Sequence, residues 1–151
     1  MHVFQFTLGI TISTILTGCG GNSEAEQPTV GFCGESVQIG PTIEISSATD
    51  SQSFAPITDV VLSDLALNGM PMTTAVAVHP DSTGVELAGD TLLCKIPCTF
   101  GLLEGDYTMA ASAPGHRMSR VSITAKHTKV TGDCVKTYSG TTPLAISLEP
   151  I

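Results

Sequence analysis

From Ile43 onward the chain alternates apolar and polar residues in short runs, each closed by a turn signal. Period two with frequent punctuation leaves little room for anything but a layered β fold. Ile43 and Ile45 face one way, Glu44 and Ser46 the other, and Asp50-Ser51-Gln52-Ser53 reads as a turn. Thr58 to Leu67 reads as a second strand, closed by Asn68-Gly69, the strongest short hairpin signal in the chain. A third strand is predicted from Thr73 to His79, with Val76 and Val78 on one face, then a turn over Pro80 to Gly84. Leu92 to Ile96 reads as another strand. Tyr107, Met109, Ala111 and Ala113 alternate with Asp106, Thr108, Ala110 and Ser112, and Pro114-Gly115 follows. Val121, Ile123 and Ala125 oppose Arg120, Ser122, Thr124 and Lys126; Leu144, Ile146 and Leu148 oppose Ala145, Ser147 and Glu149. Roughly seven short strands without a helical stripe predict a single antiparallel, Ig-like all-β sandwich over residues 41–151.

The chain before the sandwich has a different character. Val3 to Leu16 is an uncharged, largely apolar run, shorter than the roughly 18 to 20 residues a bilayer span needs and suited to a signal segment. It ends in Leu16-Thr17-Gly18-Cys19, which resembles the lipobox of bacterial lipoproteins: an aliphatic residue, two small residues and the cysteine that becomes the new N-terminus. The resemblance implies a signal peptide over 1–18 and diacylglyceryl and palmitate chains on Cys19. Each buried methylene contributes about 0.8 kcal/mol, so several acyl chains hold firmly. Residues 19–40 read as the lipidated N-terminus and a polar linker. Gly20 after the lipidated cysteine implies, in a Gram-negative host, sorting to the cell outer membrane.

With Cys19 set aside, Cys33, Cys94, Cys98 and Cys134 make an even number, which in an oxidising compartment reads as two disulfides with three possible connectivities. The preferred pairing is Cys94–Cys98 around Lys95-Ile96-Pro97, with Cys33–Cys134 fastening the leader to the sandwich. The rival reading of Cys94 and Cys98 as half a zinc or redox site lacks ligand spacing at His79, His116 and His127, and lacks the two-residue separation of a thioredoxin motif.

Two further segments share a family pattern. Asp64, Gly69-Met70-Pro71-Met72 and Ala75 resemble the opening of carboxypeptidase regulatory-like domains, and Gly105-Asp106-Tyr107 with Gly115 resembles the Gly-x-Tyr strand of that family. The similarity covers residues 57–126, and His116 stands where the family has an aromatic residue. It implies a prealbumin-like seven-stranded sandwich and no catalytic activity. Independently of the family, Gly69 suits a turn that needs positive φ. Gly105 precedes Tyr107 at a strand start, as in a tyrosine corner, where the ring fills the core and the hydroxyl bonds nearby backbone.

Of 151 residues, 14 are Asp or Glu and six are Lys or Arg, all after Cys19, for a net charge of −8. That surface repels nucleic-acid phosphates and anionic headgroups, so the lipid is the expected membrane anchor. Nucleophile elbows, metalloprotease helices, phosphate loops and dinucleotide fingerprints are missing from the sequence. Glu104 and Asp106 flank Gly105 and read as solvated loop charges rather than an acid–base pair. Arg117, Arg120, Lys126 and Lys129 gather near one hairpin, the mark of a strand's charged solvent face. Met70 and Met72 in the Asn68-Gly69 turn read as packing, with a sticky loop or copper pair as the alternative. The expectation is a non-enzymatic, lipid-anchored envelope module without a cofactor, binding a protein or glycan or serving as a spacer. The alternative is a small accessory enzyme or metal-handling lipoprotein using His79, His116 or the Met-rich turn.

Overall fold

In the computed structural model the described residues are 36–151. The expected signal peptide, the expected lipidation site Cys19, Cys33 and the expected linker up to residue 35 lie outside them. Twelve strand segments and one helical turn follow in order: β1 Ser36–Ile39, β2 Ile43–Asp50, β3 Asp59–Leu67, β4 Met70–Pro71, α1 Thr74–Ala77, β5 Val85–Ala88, β6 Thr91–Lys95, β7 Cys98–Phe100, β8 Gly105–Ser112, β9 Ser119–Ala125, β10 Lys129–Thr131, β11 Val135–Ser139 and β12 Thr142–Leu148.

The strands form three sheets: β12-β2-β7; β5-β6-β3-β8-β9 with β4 on β3; and a small sheet β1-β11-β10. The first two share one core. Ile43, Ile45, Phe100, Ile146 and Leu148 from the three-stranded sheet meet Val60, Leu62, Leu92, Tyr107, Met109 and Ala125 from the larger one. The alternation read from the sequence is the alternation of burial: Ile43 and Ile45 are buried while Ser46 is exposed, and Tyr107, Met109 and Ala111 are buried while Asp106 and Thr108 are exposed. The architecture is an all-β sandwich.

Cys94 of β6 and Cys98 of β7 form a disulfide. Cys94 pairs in register with Val60 in the larger sheet, and Cys98 with Ile45 in the smaller one, so the bond joins the two layers across the core. The Ile96–Pro97 peptide inside its loop is cis. Cys134 is also disulfide-bonded, and the Cys33 end of the expected second bridge lies outside the described residues.

Three expectations are corrected. The sandwich is not purely antiparallel: β2 runs parallel to β12 and β1 parallel to β11. No hairpin connects either pair, and strands separated by most of the chain are free to align in parallel. The predicted strand from Thr73 to His79 is absent: the short β4 ends before it at Pro71, and α1 occupies Thr74–Ala77. β4 pairs with β3 only at Ala66 and Leu67, because β6 occupies the same side of β3 from Asp59 to Leu62. The returning chain therefore leaves the sheet and coils into one helical turn, whose Ala77 is buried against the core. Residues 36–39, read as linker, form β1 and pair with β11, a strand absent from the sequence reading.

Candidate functional site: a groove on the outer face of the larger sheet

The groove begins with a fault in β3. Its pairing with β8 shifts register between Ser63 and Ala66, and Asp64 there has φ +49, a left-handed conformation rare for a residue with a side chain. The next turn is Asn68 (φ +51) and Gly69 (φ +79), the two positive φ values a tight two-residue hairpin requires. Asn68 fixes this hairpin to the start of β8: its N–H donates to the Asp106 carbonyl at 2.8 Å, and its Oδ1 accepts the Asp106 N–H at 3.0 Å. The approach needs Gly105, where a Cβ would stand 2.7 Å from Leu67 Cδ1 and 2.8 Å from Asn68 Oδ1.

The result is a groove of about 490 Å3 on the solvent side of the sheet, within the size range of ligand sites. Ser63, Thr108 and Arg120 contribute to its floor, Pro71, Met72 and Thr73 to one wall, and Asp90 and Thr91 to the other. Ser63, Ala110 and Arg120 lie in one cross-strand row, and Ala110 is buried although it is on the outward side of β8. Asp64, Asp90 and Arg120 are exposed, and none forms an ion pair among the described residues, where every ion pair involves a histidine. Two wall hydroxyls are committed to the fold: Thr74 donates to the Gly89 carbonyl at 3.2 Å and Thr91 to the Ala88 carbonyl at 2.8 Å. Charges of both signs stand over a hydroxyl-lined floor, which suits binding of a polar surface.

The residues singled out in the sequence are dispersed. Tyr107 is fully buried; its hydroxyl donates to the Leu103 carbonyl at 2.8 Å and accepts the Leu103 N–H at 3.3 Å. Glu104 and Asp106 face different partners. Glu104 Oε1 accepts the His127 N–H at 2.8 Å and lies 3.1 Å from His127 Nδ1, while Asp106 Oδ1 accepts the Thr124 hydroxyl at 2.6 Å. The His127 backbone bond is the main cause holding the Glu104 carboxyl below its ordinary range.

His79, His116 and His127 likewise have separate partners. His79 Nδ1 accepts the Asp81 N–H at 3.0 Å. His116 Nε2 lies 3.0 Å from Asp50 Oδ2. His127 Nε2 lies 3.0 Å from the Gly40 carbonyl, and its ring packs edge-on against Tyr138, tying the small sheet to the sandwich. Asp50 accepts N–H bonds from Ser53 and Gln52, which lower its pKa to about 2. Among the described residues, no group of three or more His, Cys, Asp or Glu is placed to hold a metal. Met70 projects into solvent and Met72 packs at the core edge, so the turn does not present them as a pair.

Asp64, Asp90 and Arg120 were not read as a site from the sequence. An Asp in the middle of an apolar strand, a residue type depleted from strands, is the one signal that marks the fault. The four basic residues near β9 spread along it rather than forming a patch: Arg117 precedes the strand, Arg120 reaches the groove, and Lys126 and Lys129 follow its end. Comparison with protein-family models, curated proteins and solved structures finds no match to this chain.

Proposed function

We propose that this chain is a non-enzymatic, lipid-anchored module of the bacterial cell envelope that binds a protein or glycan partner through the groove on its larger sheet. The observation that carries the binding role is the fault at Asp64. A left-handed non-glycine residue in a central strand is costly, and such faults gather at functional sites. Here it lies in a groove whose charged residues form no ion pair among the described residues. The anchor rests on Leu16-Thr17-Gly18-Cys19 and its apolar leader, and Gly20 supports sorting to the outer membrane. The motifs around Asp64, Gly69-Met70-Pro71 and Gly105-Asp106-Tyr107 support a prealbumin-like sandwich of the carboxypeptidase regulatory-like kind.

Two measurements test the two halves. Intact mass of the protein from native membranes is expected to show a chain beginning at Cys19 with added acyl mass; an unlipidated chain refutes the anchor. For the groove, a photo-reactive residue at Met72 is expected to capture one defined partner, and Thr108→Trp, which fills the floor from an exposed position, is expected to abolish capture. Capture unaffected by Thr108→Trp refutes the groove as the contact.

A further inference from the structure

The loops at one end of the sandwich form a rigid tip. Where β2 ends, Asp50 Oδ1 accepts the N–H groups of Gln52 (2.8 Å) and Ser53 (2.7 Å), and Oδ2 lies 3.0 Å from His116 Nε2. The Phe54 N–H donates to the Asp50 carbonyl at 3.0 Å, the Ser51 N–H to Leu148 at 2.8 Å and the Arg117 N–H to Glu149 at 2.7 Å. Three segments are thus fastened together: the turn after β2, the turn before β9 and the chain leaving β12.

On this tip stand Phe54, 77% exposed, and Met118, 65% exposed. Phe54 has φ +58, a left-handed conformation usually left to glycine, and its ring gains almost no burial in return. A bulky aromatic held in an unfavourable backbone conformation and turned outward is placed for contact with something outside the chain. Met118 lines a recess of about 370 Å3 together with Ser51, Arg117 and Glu149. Arg117 and Glu149 are both exposed and form no ion pair with each other.

That composition fits a second copy of this chain as the partner. A two-fold contact between identical molecules requires each patch to carry both halves of every complementary pair. One cation and one anion that form no ion pair among the described residues, with two exposed apolar side chains on the same tip, meet that requirement. We propose that the tip is the contact surface between two copies of this chain, with Phe54 and Met118 of each packing on those of the other and Arg117 of one facing Glu149 of the other. The net charge of −8 opposes association at long range, but screening confines that repulsion to about 8 Å at physiological salt. The four residues named on each side are far fewer than the roughly 20–30 a side of standard stable interfaces, so the pair is a weak, reversible one.

Sedimentation equilibrium of the full chain in mild detergent tests this, with a concentration series up to about 0.5 mM. The wild type is expected to dimerise with rising concentration. Phe54→Gly, Arg117→Glu and Glu149→Arg are each expected to weaken dimerisation roughly tenfold, and the double charge reversal to restore it to within about threefold of wild type. Phe54→Gly is expected to keep or raise the melting temperature, which separates loss of contact from loss of fold. A chain that stays monomeric across the series overturns the proposal. So does a double reversal as weak as either single, or a dimer indifferent to Phe54→Gly, which signals sharing of a micelle.

Discussion

Removing the hydroxyl of Tyr107 tests how the β7–β8 connection is held. The ring is fully buried and Phe retains it, so the change isolates the polar contacts. Two hydrogen bonds are lost, the 2.8 Å bond to the Leu103 carbonyl and the 3.3 Å bond from the Leu103 N–H. The carbonyl keeps a second donor, because the fully buried Thr42 hydroxyl also reaches it at 3.3 Å. Only the N–H is left without a partner, and the cost of Tyr107→Phe is therefore about 1–2 kcal/mol. Thr42→Val preserves shape and removes the longer bond, at a cost of about 0.5–1 kcal/mol. In the double variant the Leu103 carbonyl loses both donors, so the combined loss is expected to exceed the sum by about 1 kcal/mol. Urea denaturation of the four proteins, at unchanged slope, reads all three quantities. Additivity within about 0.3 kcal/mol, or a Tyr107→Phe cost below about 0.5 kcal/mol, refutes the shared-carbonyl account.

Other substitutions test other parts of the frame. Replacing Cys94 and Cys98 with Ala opens a crosslink of sequence separation 4, which in the chain-entropy model costs about 2 kcal/mol, to which lost packing adds; the urea midpoint reads the sum. Both cysteines are almost wholly buried, so thiol labelling after reductant under native conditions is expected to leave this bond intact. Asp50 has a pKa of about 2 against an ordinary value of 3.8. Its contribution is therefore complete above pH 3.8 and lost as pH falls through 2; Asp50→Asn is expected to flatten the pH dependence of the denaturation midpoint in that window. Gly84 has φ +67, and a Cβ there would stand 2.7 Å from the carbonyl oxygens of Lys95 and Pro97, so Gly84→Ala is expected to cost at least about 2 kcal/mol by thermal denaturation.

Period-two alternation reports burial, and it was legible wherever a strand buries one face. β2, β8, β9 and β12 each place their apolar set on the core and were readable from it, apart from the break after Ser46 in β2 and the buried Ala110 on the outward side of β8. The small sheet was silent for the same reason: Val37 and Val130 are each 55% exposed and Val135 41%, so no buried face imposes a pattern. Val76 and Val78 suggested a strand, yet the neighbouring lane on β3 was already taken by β6, a fact of tertiary arrangement that local sequence does not carry. The parallel pairing of β2 with β12 escaped for a related reason, since turn signals connect only neighbours in the chain. The groove was legible only as an anomaly, Asp64 in an apolar strand, because its walls come from segments that the fold alone brings together.

The parallel pairing also has a mechanical meaning. β2 lies near the start of the described chain and β12 near its finish, and they run side by side through seven register pairs from Thr142↔Ile43 to Leu148↔Asp50. Tension that enters before β2 and leaves after β12 pulls the two strands lengthwise past one another. Their hydrogen bonds then share the load together and must yield nearly at once, whereas an antiparallel hairpin pulled from its open end gives way one rung at a time. A pull applied between these two strands along their length meets the domain in its strongest geometry.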